Sequence, residues 1–357
     1  FRSENRYINV FIPYLRLDKL ARQVTTDQKV GVESDPNYYA MVYNDQQGIR
    51  LKEVTLLDST LREGEQAPGV SFTRRQRLQI AWMLDYFGVN FIEISPVLTA
   101  EHKEACIQML KAGLDAKIIL HGRATQSDID VALSCDPEWI AVYYSVSDVH
   151  LKYKLRVSRE EAIRRSVEAV EYAKSHGLKM RFTVEDASRA EPEFLKKICK
   201  EVADAGADRI GVPDTVGIMR PLGMYRLVKM VRETVTIPLD VHCHNDLGLA
   251  LANALAGLEA GANQIHTTIN GLGERVGLVS LAEAVMALKL IYNVNLNVRL
   301  EMLKELSELV ENYTGVKTPP SKPIVGENAY RHKAGTHIAA IIRNPAAYEI
   351  IPPRVVG

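Results

Sequence analysis

The chain has 357 residues, room for one large core plus an appendage, since an α/β barrel alone uses about 250 residues. Lysine plus arginine and aspartate plus glutamate balance at 44 each, which leaves no global basic field to hold nucleic acid or an anionic membrane. The scattered Cys106, Cys135, Cys199 and Cys243 exclude a disulfide framework and a zinc ribbon, and no run approaches the roughly 20 apolar residues of a membrane span. Phe1 to Tyr14 carries acidic and amide groups that spoil a signal peptide, so an unsecreted small-molecule enzyme of the reducing cytoplasm is expected.

Residues 1–50 are polar and tyrosine-rich, with one helical stretch at Leu15 to Gln23, and are expected to form an N-terminal extension of unassigned role. From Val54 onward a short apolar run, a polar turn and a longer amphipathic segment alternate, as parallel strands with crossover helices require. Strands are expected near Val54 to Asp58, Phe91 to Ser95, Ala116 to His121, Trp139 to Ser145, Lys179 to Val184, Arg209 to Val212, Leu239 to His244 and Gln264 to Ile269. In the first helix Thr73 is the cap, Leu78, Ala81, Leu84 and Phe87 share a stripe, and Gly88 is the stop. Gly206 and Gly261, each between alanines, sit where two later helices should end in a left-handed turn.

The helix around Leu281 to Ile291 completes eight strand and helix units, and no glycine-rich phosphate loop follows the first strand. The expected fold is therefore a (β/α)8 TIM barrel over 51–295 rather than an open doubly wound sheet. Residues 296–357 are expected to form a small α-helical and linker region, with an amphipathic helix at Leu300 to Tyr313 and a proline-bearing linker at Thr318 to Pro323.

In such a barrel the active site gathers at the carboxyl ends of the strands. The first strand ends in the run Asp58 to Gln66, DSTLREGEQ, which taken alone reads as a solvated surface turn. The seventh ends His242-Cys243-His244, where the two-residue period of a strand sets both imidazoles on one face. These are either two metal ligands or satisfied core histidines. Glu63 or Asp58 would complete a mixed oxygen and nitrogen set suited to Zn, Mn, Co or Mg.

DSTLREGEQ, HCHNDLGLA, NGLGER and HKAGTH, in that order, resemble the signatures of the barrel metallolyase family that contains homocitrate, 2-isopropylmalate and citramalate synthases. The resemblance runs from about Val54 to Gly357. It implies a divalent metal held by Glu63, His242 and His244, with Asp58 behind them, and acetyl-CoA as co-substrate. It further implies Arg62 as the cation beside a ketone oxygen gaining charge, His337 as general base supported by Tyr348, and Glu185 as a catalytic-site acid. Thr183 and Thr215 match carboxylate binders, and Gln66 belongs with the substrate contacts. Asn270, Gly271, Gly273, Glu274 and Arg275 are expected as a loop beside the metal or acetyl-CoA. Read alone, His337 is a loop histidine and Asn270 a turn residue.

Two features lean toward 2-oxoglutarate and so toward homocitrate for lysine biosynthesis. Glu63 stands where synthases of isopropylmalate and citramalate usually have aspartate, and His121 stands where relatives handling apolar side chains usually have leucine. A donor there suits the acceptor's distal carboxylate, because an unpaired buried carboxylate is costly. Lys333 of HKAG points the same way. Ser147 to Lys152 resembles the isopropylmalate group instead, leaving 2-oxoisovalerate or pyruvate as rival acceptors. The position of His337 beyond a linker suggests a homodimer in which one chain completes its neighbour's site. A non-catalytic sensor or assembly subunit is the remaining alternative.

Overall fold

A computed structural model of the chain describes residues 36–44, 51 and 53–357. The helical stretch expected at Leu15 to Gln23 lies outside them, and α1 (Tyr38–Asn44) precedes the barrel. The barrel begins with β1 (Thr55–Asp58), α2 (Arg74–Phe87), β2 (Phe91–Ile94), α3 (Ala100–Leu110), β3 (Lys117–Arg123) and α4 (Gln126–Leu133). After β4 (Trp139–Ser145) come the short α5 (Asp148–His150) and a π-helical turn, Leu151–Leu155, before α6 (Arg159–Ser175). The series continues through β5 (Lys179–Glu185), α7 (Pro192–Asp204), β6 (Arg209–Asp214), α8 (Pro221–Thr234), β7 (Leu239–Cys243), α9 (Ala250–Glu259), β8 (Gln264–Thr267) and α10 (Leu281–Leu290).

All neighbouring strands pair in parallel, and β1 closes on β8 with Leu57 opposite His266 and Asp58 opposite Thr267. The expected closed (β/α)8 barrel is therefore present. Strand limits differ from expectation by one or two residues; β7 ends at Cys243 because His244 leaves the ladder for an antiparallel bridge to Leu278.

Strand alternation sorts side chains between two environments. Leu56, Ile92, Leu120, Val142, Phe182, Val212, Val241 and Ile265 face the helices and join one continuous apolar core. The opposite faces form the lumen, where Leu57, Ile119 and Ala141 make a separate small apolar cluster with Phe91 and Trp139 against it. The lumen also carries Glu93, Arg181, Asp240, His242 and His266, all buried. Part of the usual apolar filling of a barrel interior is thus replaced by charge.

Helix α2 follows its expected cap and stop: Thr73 and Gln76 form a reciprocal capping box, and Gly88 adopts φ 107°. Gly206 and Gly261 are left-handed at φ 107° and 109°, as their positions required. The buried face of α2 differs, since Arg77 and Ile80 lie inward while Leu78 is only half-buried. Arg77, 1% exposed, grips Glu65 through Nε at 2.8 Å and Nη2 at 2.7 Å, and its Nη2 also meets His102 Nε2 at 2.9 Å. Glu65 of the DSTLREGEQ run is thereby a brace tying the first loop to α2 and α3. That run is no solvated turn: Asp58, Ser59 and Thr60 are fully buried.

Beyond the barrel, α11 (Leu303–Thr314) follows a single 3-10 turn at Leu300–Met302 and leans on α2, with Tyr313 Oη donating to Gln79 Oε1. The last helix, α12 (Gly335–Arg343), buries none of its residues and leaves Ile342 80% exposed. No helix among the described residues is long and apolar enough to cross a membrane.

Removing one partner of a buried ion pair strands the other charge. Arg77→Met is therefore expected to cost about 3–5 kcal/mol of unfolding free energy, read from the urea midpoint. Thr73→Ala, which loses only a cap, should cost about 1 kcal/mol in the same assay.

Candidate active site

Glu63, His242 and His244 come together at the carboxyl end of the barrel, each offering one ligand atom, all within 4.8 Å of one another. The two histidines meet because β7 alternation turns both inward, while Cys243 enters the apolar core. Glu63 arrives from the loop after β1 and is 2% exposed. Its Oε1 accepts the Glu274 backbone N–H at 3.0 Å, and its Oε2 lies 3.8 Å from His242 Nε2. Burial and the nearby Arg62 hold the His242 imidazole well below its ordinary range, and burial lowers His244 as well, so both rings keep a lone pair. The His244 Nδ1 is buried with no hydrogen-bond partner. A carboxylate and two neutral imidazoles, one of them with an orphaned ring nitrogen, fit a divalent cation.

Beneath this cluster lies a buried ionic network absent from the sequence reading. Glu93 is fully buried and accepts from Ser59 Oγ and Arg62 Nε, both at 2.6 Å, and from Arg181 Nη2. Burial alone would raise the Glu93 carboxyl; Arg62 and Arg181 overcome it and hold the group well below the usual carboxylate range. Arg62 is thus fixed between Glu93 and Glu63, with its Nη1 on Glu63 Oε2. A signal for the network existed: Glu93 lies between Ile92 and Ile94, and Arg181 between Met180 and Phe182, lone charges inside apolar strands.

His121 is placed near Arg62, stacked on Tyr143 with ring centroids 5.2 Å apart. Burial, then Arg62, pushes its imidazole down to about 3, so it is neutral. Glu185 accepts from Ser145 Oγ and pairs with Lys154 Nζ at 2.7 Å, and Lys154 also stands over the Tyr143 ring. Lys154, from the π-helical turn, had no part in the sequence reading. Thr183 Oγ1 is buried without a partner, whereas Thr215 Oγ1 accepts the Asp186 backbone N–H at 2.9 Å. Gln66 is exposed, its Oε1 3.5 Å from Arg62 Nη1.

The loop after β8 shapes the rim. Asn270, at φ 60°, donates to the Ser307 carbonyl of α11 at 3.0 Å, which turns its side chain toward the helix. A Cβ on Gly273 would press on Glu63 at 3.1 Å, and one on Gly277 would lie 1.8 Å from the Gly271 carbonyl oxygen. Arg275 clamps Asp246 at 2.7 and 2.9 Å and reaches the Thr215 carbonyl at 2.8 Å. His337 stacks on Tyr348 with centroids 4.2 Å apart, and His332 lies 6.1 Å from the same ring. Among the described residues no hydrogen bond or ion pair joins either His337 or Tyr348 to the barrel mouth.

A family model described as HMGL-like matches residues 53–310. The chain belongs to the HMGL-like family. A second model, described as homocitrate synthase post-HMGL domain-like, matches residues 324–357. A probable 2-isopropylmalate synthase of Methanopyrus kandleri is 50% identical over 305 residues, 85% of this chain and 61% of that protein. The homocitrate synthase AksA of the same organism is 47% identical over 85% of this chain and 77% of that protein. The chain thus spans under two thirds of the first of these relatives. Among solved structures, a hydroxymethylglutaryl-CoA lyase from Pseudomonas aeruginosa shares the fold at TM-score 0.67 and 20% identity, over 75% of this chain and 95% of that one.

Asp58 accepts the Thr60 N–H at 2.9 Å, yet burial pushes its carboxyl up to about 7. The folded protein holds this proton more tightly than the unfolded chain, so the contribution is complete below about pH 4 and is lost as pH rises through 7. Asp58→Asn cannot ionise. In urea titrations with chelator present, it should match the parent near pH 4 and exceed it by up to about 4 kcal/mol at pH 8.

Proposed function

We propose that this protein condenses acetyl-CoA with a 2-oxo acid, with 2-oxoglutarate as the preferred acceptor and homocitrate and free CoA as products. The observation that carries the reading is the convergence of Glu63, His242 and His244 beside a guanidinium already fixed by Glu93. Those three side chains would hold the divalent cation, Zn, Mn, Co or Mg, which supplies Lewis-acid polarisation of the acceptor ketone.

The remaining work belongs to the chain's own groups. Arg62 cannot swing away, because Glu93 and Glu63 grip it, so its positive charge stands ready where negative charge develops on the former ketone oxygen. Thr183, with its unpartnered hydroxyl, binds a substrate carboxylate, and Thr215 and Gln66 line the same mouth. Glu185, held by Lys154 and Ser145, is the acid at the end of β5. His337 takes the proton from the thioester methyl, supported by the stacked Tyr348. The deprotonated carbon adds to the acceptor's carbonyl carbon as the C=O π bond opens, the resulting alkoxide takes up a proton, and water then cleaves the thioester to a carboxylate and free CoA.

The homodimer belongs to the same proposal. Helix α12 buries nothing against its own barrel, as expected of an element that covers a partner copy's mouth and delivers His337 there. Residues 1–50 and 296–357 would then be additions to a barrel that holds the ligands, with the Asn270 to Arg275 loop at the acetyl-CoA side.

The acceptor choice rests on His121. Relatives named for homocitrate and for isopropylmalate are similar to comparable degrees. A neutral imidazole at the barrel mouth suits a second carboxylate and is of little use to an isopropyl group. Free-CoA release from acetyl-CoA, measured with 2-oxoglutarate, 2-oxoisovalerate, pyruvate and oxaloacetate, tests the reading directly. Turnover should be highest with 2-oxoglutarate and fall to background with chelator or in Glu63→Ala. His121→Leu should lower kcat/KM for 2-oxoglutarate by about 100-fold, the worth of a hydrogen bond to a charged group. Highest turnover with 2-oxoisovalerate would reassign the product to 2-isopropylmalate.

A further inference from the structure

Two fully buried groups behind the ligand cluster have no part in the chemistry above. Asp240 is 0% exposed and His266 1%. Asp240 precedes His242 by two residues on β7, and the register of β8, Asp240 opposite Gln264, sets His266 alongside His242. The His266 Nδ1 lies 3.1 Å from the His242 Nδ1, with the rings nearly perpendicular at 84°. On its other side the His266 Nε2 lies 3.2 Å from Asp240 Oδ1 and 3.2 Å from Arg181 Nη1. Neither Asp240 oxygen has a hydrogen-bond donor in good geometry, a costly state for a buried carboxylate.

A hydrogen bond between two imidazole nitrogens needs one proton and one lone pair. Were the His242 proton on Nε2, the nitrogen facing Glu63, that nitrogen would have no lone pair for a cation. With the proton on Nδ1, His242 donates to His266 Nδ1 and Nε2 is free. His266 must then carry its own proton on Nε2, where the Asp240 carboxylate stands. That proton gives Asp240 the donor it otherwise lacks, whereas the Arg181 N–H, which cannot accept, needs a lone pair on the same nitrogen; the tautomer that leaves His242 Nε2 open is therefore the one in which Asp240 rather than Arg181 engages His266.

We infer that His266 and Asp240 are positioning residues: the chain Asp240–His266–His242 fixes the tautomer and ring orientation of His242 for metal binding. This rests on the reading of Glu63, His242 and His244 as metal ligands. Neither residue touches substrate, so the signature is metal affinity and ligand field rather than turnover alone.

The full chain, stripped of metal and titrated with Co2+ against a competing chelator, gives the Kd and the visible absorption of the site. His266→Phe fills the ring volume and accepts no hydrogen bond; it should weaken Co2+ binding by about 10–100-fold and shift the visible bands. His266→Gln restores an acceptor and should recover most of the loss. Asp240→Asn, close to isosteric, should weaken binding by about 10-fold and decides the matter alone should His266→Phe fail to fold. Circular dichroism of the metal-free variants separates folding from binding. A folded His266→Phe, or in its place Asp240→Asn, with the parent's Kd and spectrum would overturn the inference while leaving the metal site intact. A parent protein that takes up no Co2+ would overturn the metal reading itself, and this inference with it.

Discussion

The candidate site depends on one buried carboxylate. Glu93 holds two guanidiniums, Arg62 at the mouth and Arg181 deeper in the lumen, and it does so with no solvent to share the charge. Burial opposes ionisation of such a group, and only two cations at hydrogen-bond distance reverse that preference. With Glu93 charged, Arg62 stands fixed beside Glu63 and Arg181 stands beside His266; with it neutral, Arg62 would keep only Glu63 as an ion-pair partner and Arg181 would lose its own.

The barrel tolerates such a centre because its apolar cohesion lies elsewhere. The strand faces turned toward the helices form one continuous core from Leu56 round to Ile265, while the lumen contributes only a small apolar cluster around Leu57, Ile119 and Ala141. Separate surfaces of the same strands serve cohesion and chemistry. The two-residue period of β5 and β7 makes this possible: Phe182 and Val241 pack outward while Arg181, Asp240 and His242 face in.

Much of this was legible in the sequence, and the reasons are local. Eight apolar runs with amphipathic segments between them implied the barrel, and Thr73, Gly88, Gly206 and Gly261 marked helix ends because caps and left-handed turns demand those residue types. The shared face of His242 and His244 followed from period two. What escaped were long-range partnerships. Glu65 is a brace only because Arg77 folds inward from α2, and the burial of Asp58 to Thr60 depends on the loop after β8 closing over them. Glu93, Arg181, His266 and Asp240 come from different strands, and nothing in their immediate neighbours states which charge meets which. For His337 and Tyr348 the structure shows mutual stacking and an uncovered helix.

Within the barrel end the cationic side chains have their carboxylates: Arg62 and Arg181 answer Glu93 and Glu63, Lys154 answers Glu185, Arg189 answers Asp186 and Arg275 answers Asp246. Asp58, favouring its protonated form, adds little. Asp214, buried at the end of β6, accepts from the Ile218 and Met219 backbone N–H groups and among the described residues pairs with no cationic side chain. Each arginine and lysine of the mouth is thus held by its own carboxylate, and the charges there are set in place before any ligand arrives.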